Sequence, residues 1–199
     1  MDTLVNLSGG LDSTYVLWRH LSDHTTPPLV HHCVLKTKAN GVRWERELDA
    51  VRAILAWLCD HDLGHFEYVE STVDYRGLGA HPRDNLTIEL MTGTILLNPA
   101  YRSIRRTLSC VASTEVARVN RQRVDFAGYR ARSLAMRRMV WHPRRRRPRD
   151  LVTVEPIRHM SKHDVWQATP PELRALTASC RYGIDCGRCH SCRQLEAVR

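Results

Sequence analysis

The 199-residue sequence predicts an α/β fold: a mostly parallel, doubly wound sheet with a small C-terminal cysteine module. Three observations carry it. Short apolar runs alternate with segments whose apolar residues recur at three and four, the pattern of strands alternating with helices in βαβ units. A Gly-Gly turn directly follows the first run and opens a helix. Four of the seven cysteines crowd into thirteen residues near the end, which in a cytoplasmic chain points to metal rather than disulfides.

Leu4-Val5-Asn6-Leu7 reads as a buried strand and Tyr15-Val16-Leu17-Trp18 as the first turns of a helix. Leu29 to Leu35 reads as a second strand after the Pro27-Pro28 break. Trp44 to Cys59 is the clearest helix, with Leu48, Val51, Ile54, Leu55 and Leu58 on one face. Phe66 to Val69 reads as a third strand, 71–85 as a loop, Leu86 to Leu97 as a buried helix and Leu108 to Ala112 as a fourth strand. The polar stretch 115–125 reads as a mobile substrate loop, and Phe126 to Trp141 as a helix with a basic face. The arginine run 144–149 reads as a solvated loop. Leu151 to Val154 is the fifth strand. Ser161 and Asp164 have capping-box spacing ahead of a short helix through Trp166, and Pro170-Pro171 opens another that ends near Leu176. The boundary falls near Thr177, with an α/β domain over 1–176 and a cysteine module over 177–199.

Ser8-Gly9-Gly10-Leu11-Asp12-Ser13-Thr14 is the stretch that carries chemistry. A strand, a glycine turn and a helix start make an anion site, because the first helical N–H groups are free and the helix dipole favours negative charge there. Gly9 and Gly10 allow turn dihedrals and close approach to phosphate oxygens, and Ser8, Ser13 and Thr14 add hydroxyl donors. Asp12 would repel phosphates on its own, and makes sense if it holds a Mg²⁺ that bridges them. No lysine follows the glycines, so this is not the GxxxxGK[ST] loop.

The net charge is +9, nearly all from arginine, since lysine occurs only at Lys36, Lys38 and Lys162. A basic surface suits nucleic acid, ATP, pyrophosphate or a carboxylate substrate equally well. No apolar stretch is long enough to span a membrane, and the chain starts almost directly on a core strand, so the expectation is a cytoplasmic protein without a signal peptide.

Cys180, Cys186, Cys189 and Cys192 have the spacing of a closed Cys₄ zinc site, with Gly187 permitting a tight turn and Arg181, Arg188 and Arg193 offsetting thiolate charge. Such a metal is structural, since no position is left for water. An iron–sulfur cluster or a redox CxxC pair also fits the spacing, and His190 is a competing ligand.

Ser8 to Thr14 matches in full the SGG-x-DS-[ST] signature of the PP-loop, or N-type ATP pyrophosphatase, superfamily, so the chain resembles that family (the adenine nucleotide alpha hydrolase-like fold). Cys186-Gly187-Arg188-Cys189-His190-Ser191-Cys192 resembles the C-terminal zinc module of 7-cyano-7-deazaguanine (preQ0) synthases. Three further segments resemble the same family in order: Asp125-Phe126-Ala127-Gly128-Tyr129-Arg130, then Val154-Glu155-Pro156-Ile157 with Ser161-Lys162, then Thr177-Ala178-Ser179-Cys180.

The resemblance implies an ATP-dependent ligase acting on 7-carboxy-7-deazaguanine and ammonia. The carboxylate is adenylated, ammonia displaces AMP to give the amide, and a second ATP yields the nitrile. It implies ATP contacts over Leu7, Ser8, Gly9, Gly10, Leu11, Asp12, Ser13, Thr14, Tyr15, Val16 and Leu17, with adenine on the backbone of Val34 and Leu35. Asp12, Ser13 and Lys162 would be catalytic, and Asp125, Tyr129 and Arg130 would meet the substrate. Zn²⁺ is then structural, Mg²⁺ accompanies ATP, and the longer host-type members are homodimers. Each substrate residue has a plainer reading: Asp125 as a helix cap, Tyr129 as a core aromatic, Lys162 as an exposed lysine. The family's YGQ-x-H segment is replaced by Leu35-Lys36-Thr37-Lys38-Ala39-Asn40, and its PGRN by Pro82-Arg83-Asp84-Asn85. A trimmed relative from a phage or a DNA-modification cluster, stopping at the amide or using another amine, fits these departures.

Two rivals stand beside this reading. A tRNA thiolation enzyme of the same superfamily would set Arg137, Arg138 and 144–149 against phosphates, but needs a reactive cysteine or a cluster to carry sulfur, and Cys33, Cys59 and Cys110 sit in apolar runs where thiols are usually inert. A phage-defence protein would join a deazapurine to a protein partner.

Overall fold

The computed structural model describes residues 1–38, 41–78, 84–110, 151–183 and 185–198. Five strands form one all-parallel sheet: β1 (Thr3–Asn6), β2 (Leu29–Lys36), β3 (Glu67–Asp74), β4 (Arg106–Leu108) and β5 (Val152–Val154). Their order is β3-β2-β1-β4-β5. The chain winds outward from β1 to β3, then returns to add β4 and β5 on the other flank. The order therefore reverses beside β1, and that reversal opens a ligand crevice at the carboxyl ends of the strands.

The helices are α1 (Leu11–Asp23), α2 (Arg43–Asp60), α3 (Asp84–Ile95), α4 (Lys162–Ala168), α5 (Pro171–Ala175) and α6 (His190–Glu196). Both faces of the sheet are covered, and period-two alternation shows how. Val5 pairs with Val30 and joins the main core, with Leu17, Val51, Ile54 and Leu58. Leu4 pairs with Leu29 one residue earlier and joins a second cluster with Leu96 and Ile104. The stripe expected on α2 is the one that packs: Val51, Ile54 and Leu58 are buried. Cys59, expected from its apolar run to be an inert thiol, falls outside that stripe and is exposed.

Other boundaries shift for physical reasons. β3 runs to Asp74, beyond the expected Val69, because all eight residues pair with β2 while alternate side chains face solvent. That polar alternation reads as loop in the sequence. β4 spans Arg106–Leu108 and so starts two residues before the expected Leu108, its register set by Thr3–Val5 on one side and β5 on the other, while residues 111 and 112 of the expected strand lie outside the described residues. α3 forms where expected, but its buried residues are Thr87, Thr92 and Gly93, and Leu90 is exposed. Its inner face meets polar atoms rather than a purely apolar layer.

Those atoms form a row across the sheet. Asn6 Oδ1 lies 2.8 Å from His31 Nδ1 and accepts from Thr92 Oγ1 at 3.1 Å. His31 Nε2 lies 2.8 Å from Ser71 Oγ. With Asn6 accepting, Nδ1 carries the proton and Ser71 donates to Nε2, so His31 is held neutral. Burial, then the neighbouring His32, lowers its pKa to about 4. The unfolded chain takes up this proton near pH 6.5, and the folded chain only near 4. Stability is therefore complete above 6.5 and falls by about 3 kcal/mol as the pH drops to 4. Urea titrations at pH 7 and pH 4.5 are expected to show a smaller loss for His31→Gln than for the wild type. Equal losses would assign the acid sensitivity elsewhere.

Candidate functional site

The glycine loop leaves the carboxyl end of β1. Gly9 has φ +75°, and a Cβ there would lie 2.9 Å from the Glu47 carbonyl oxygen of α2. Positive φ and this close approach together require glycine. Gly10 caps α1 without a side-chain bond. Ser13 Oγ lies 3.0 Å from Ser8 Oγ, accepts from Ser8 N–H, and donates to the Gly10 carbonyl, as does Thr14 Oγ1. The loop is thus braced by its own hydroxyls. Among the described residues the N–H groups of Asp12 and Ser13 have no acceptor, so two donors of the first turn point out of the helix end.

Ser161 caps α4, and the capping box is complete: Ser161 N–H donates to Asp164 Oδ2 at 2.7 Å, and Asp164 N–H to Ser161 Oγ at 3.1 Å. This fixes Lys162 at the first helical position, and α4 packs on α1. Lys162 Nζ consequently reaches Asp12 Oδ2 at 2.6 Å, with both residues buried. Lys162 is not the exposed lysine of the plainer reading. Asp12 Oδ1 is buried and has no partner among the described residues.

These groups line a cavity of about 690 Å³, within the range of small-molecule sites. Its wall includes Ser8, Gly10, Leu11, Asp12, Ser13 and Lys162, as expected from sequence. It also includes residues that sequence reasoning gave no site role. Arg43 of α2 bonds Glu47 at 2.7 Å and Asp84 at the start of α3 at 2.8 Å, spanning the two helices. Burial pushes the Glu47 carboxyl up, against the pull of Arg43. Cys110, just past β4, lines the cavity too, its thiol 3.9 Å from the Asn6 carbonyl. Asn85, Ala178, Ser179, Arg181 and Ser191 complete the wall among the described residues. Val34 and Leu35, the expected adenine contacts, are buried on β2 and do not line this cavity among the described residues. Tyr15, Val16 and Leu17 are likewise buried in α1.

The sulfurs of Cys180, Cys186, Cys189 and Cys192 lie within 4.8 Å of one another. A tetrahedral thiolate site with bonds of about 2.3 Å has sulfurs about 3.8 Å apart, so the cluster fits one metal ion such as zinc. The N–H groups of Cys186, Cys189 and Cys192 each point at the preceding cysteine's sulfur, at 3.5, 3.3 and 3.4 Å. Gly187 has φ +65°, the turn its glycine was expected to permit.

Asp125, Tyr129, Arg130, Arg137, Arg138, the loop 115–125, the helix 126–141 and the arginine run 144–149 lie outside the described residues. No helix among the described residues is long and apolar enough to cross a membrane. No protein-family model matches the sequence, and comparison with curated proteins finds no match.

Proposed function

We propose that this protein is a PP-loop ATP-dependent ligase of the 7-cyano-7-deazaguanine synthase type, with a structural zinc in its cysteine cluster. The observation that carries the reading is Asp12. A carboxylate with a buried oxygen that has no partner among the described residues stands beside the glycine loop, held from its other side by Lys162. A carboxylate is suited to such a place when a divalent cation lies between it and phosphate. The orphaned oxygen fits Mg²⁺, which when bound offsets the charge of leaving pyrophosphate.

The chain's own residues would act by holding. The N–H groups of Asp12 and Ser13 and the hydroxyl of Ser8 would meet the phosphates, Ser13 Oγ braces the loop through the Gly10 carbonyl, and Lys162 fixes the carboxylate of Asp12. The substrate carboxylate oxygen attacks the α-phosphorus of ATP and pyrophosphate leaves. Ammonia attacks the acyl carbon, and AMP departs with the electrons of the C–O bond. For the nitrile, the amide oxygen is adenylated by a second ATP and AMP is lost again, with two protons from nitrogen. Asp125, Tyr129 and Arg130 are carried as substrate contacts by the family resemblance.

The placement of Cys110 on the cavity wall favours a second reading, sulfur transfer to tRNA within the same superfamily. One assay separates them. Zinc-loaded protein with ATP, Mg²⁺, ammonium and 7-carboxy-7-deazaguanine is expected to yield AMP plus amide or nitrile by mass. AMP released only with tRNA, a persulfide sulfur donor and a thiol reductant, and lost in Cys110→Ser, would replace the first reading by the second. No AMP with either acceptor would sink both.

A further inference from the structure

We propose that the cysteine module is a wall of the nucleotide site, so that metal binding and nucleotide binding strengthen each other, with Ser179 and Arg181 as positioning residues. This rests on the reading of the glycine loop as a nucleotide site.

The two features are stitched together immediately before the first metal ligand. Ala178 N–H donates to the Gly9 carbonyl at 2.8 Å, and Leu11 N–H donates to Ser179 Oγ at 3.3 Å. Cys180 follows. Arg181 comes next, and the residue lines the cavity. Ser191, between Cys189 and Cys192, lines it as well. A second seam runs along α2: Arg46 donates to the Gly183 carbonyl and pairs with Asp185, each at 2.8 Å. Gly183 sits so close to α2 that a Cβ would lie 2.8 Å from Arg43 Cα.

A segment this short has little core of its own, though Leu195 reaches the main one. Its local geometry therefore depends on what joins the four sulfurs. With metal bound, residues 178–181 are pinned between the cluster and the glycine loop, and Arg181 stays on the cavity wall. Without metal, the bonds from 180 to 192 loosen, and Ser179 and Arg181 lose their place. Whatever metal adds to nucleotide affinity, nucleotide adds to metal affinity by the same factor.

The test uses the full-length, zinc-loaded protein. Zinc affinity is measured by competition with a chromogenic chelator, with and without saturating Mg·ATP, magnesium kept in excess so that free ATP does not take up zinc. Mg·ATP affinity is measured by calorimetry on the wild type, Ser179→Ala and Arg181→Gln. Mg·ATP is expected to tighten zinc by about tenfold. The variants are expected to keep zinc and melting temperature, weaken Mg·ATP, and shrink the tightening to about twofold or less. Zinc affinity that is unchanged by bound Mg·ATP overturns the inference while leaving the nucleotide site standing. Zinc weakened by Mg·ATP overturns it too, and would mean that phosphate displaces Ser179 from Leu11. Variants that bind Mg·ATP as the wild type does remove the role of these two residues. A zinc-loaded wild type that binds no Mg·ATP overturns the nucleotide reading, and the inference with it.

Discussion

Asp12→Ala is expected to abolish ATP-dependent turnover and to cost about 3–5 kcal/mol of stability, because it strands Lys162 as an unpaired buried cation. Lys162→Met is expected to be nearly as inactive, and strands Asp12 instead. The double variant Asp12→Ala with Lys162→Met carries no charge at the site, and is expected to recover most of the lost stability and none of the activity. That split separates the two roles of the pair. A purely structural bridge would give a stable and active double variant. Urea denaturation of all four proteins yields the coupling energy, expected to exceed about 1 kcal/mol for groups in direct contact. Strictly additive losses would mean that the 2.6 Å bridge is not maintained in solution. Activity in Asp12→Ala would remove the metal-linked carboxylate from the proposed mechanism.

What the sequence made legible was local. The glycine turn, the Ser161–Asp164 box and the cysteine spacing each act within a few residues, and each takes the form expected. The α2 stripe was legible because a buried helix face has a fixed period. Edge strands were harder: β3 has polar residues on its open face, so its second half reads as loop until β2 is seen to pair with it. The walls of the cavity were hardest. Arg43, Glu47, Cys110 and Arg181 meet the glycine loop only through the order of the sheet and the docking of the cysteine module. No spacing rule joins residue 43 to 84 or 11 to 179. The one available signal was the Thr-x-Ser-Cys lead into Cys180, which was read as an approach to metal but also touches the loop.

Gly9→Ala is the most damaging small change the glycine loop can suffer. The added methyl meets backbone: the Glu47 carbonyl at 2.9 Å, with Ala50 Cβ at 3.2 Å behind it. A carbonyl inside α2 cannot swing aside as a side-chain tip can, so either the loop or the helix must move. The φ of +75° adds its own cost of about 1–2 kcal/mol for a residue with a Cβ. Overpacking of a tight contact adds about 1–3 kcal/mol. The expected total is about 3 kcal/mol, together with loss of Mg·ATP binding, because the displaced loop no longer aims the Asp12 and Ser13 N–H groups. Gly187→Ala is the natural comparison, since its φ is +65° but no atom lies within 4 Å of its Cβ position. It bears the conformational cost alone and should lose about 1–2 kcal/mol when zinc-loaded. Urea denaturation and calorimetry on the two variants decide the matter. Equal losses would mean that α2 yields to the methyl, and that the close packing of loop on helix does not hold the site in shape. A larger loss for Gly9→Ala, with Mg·ATP binding gone, would tie the geometry of the anion cradle to the seat of the loop on α2.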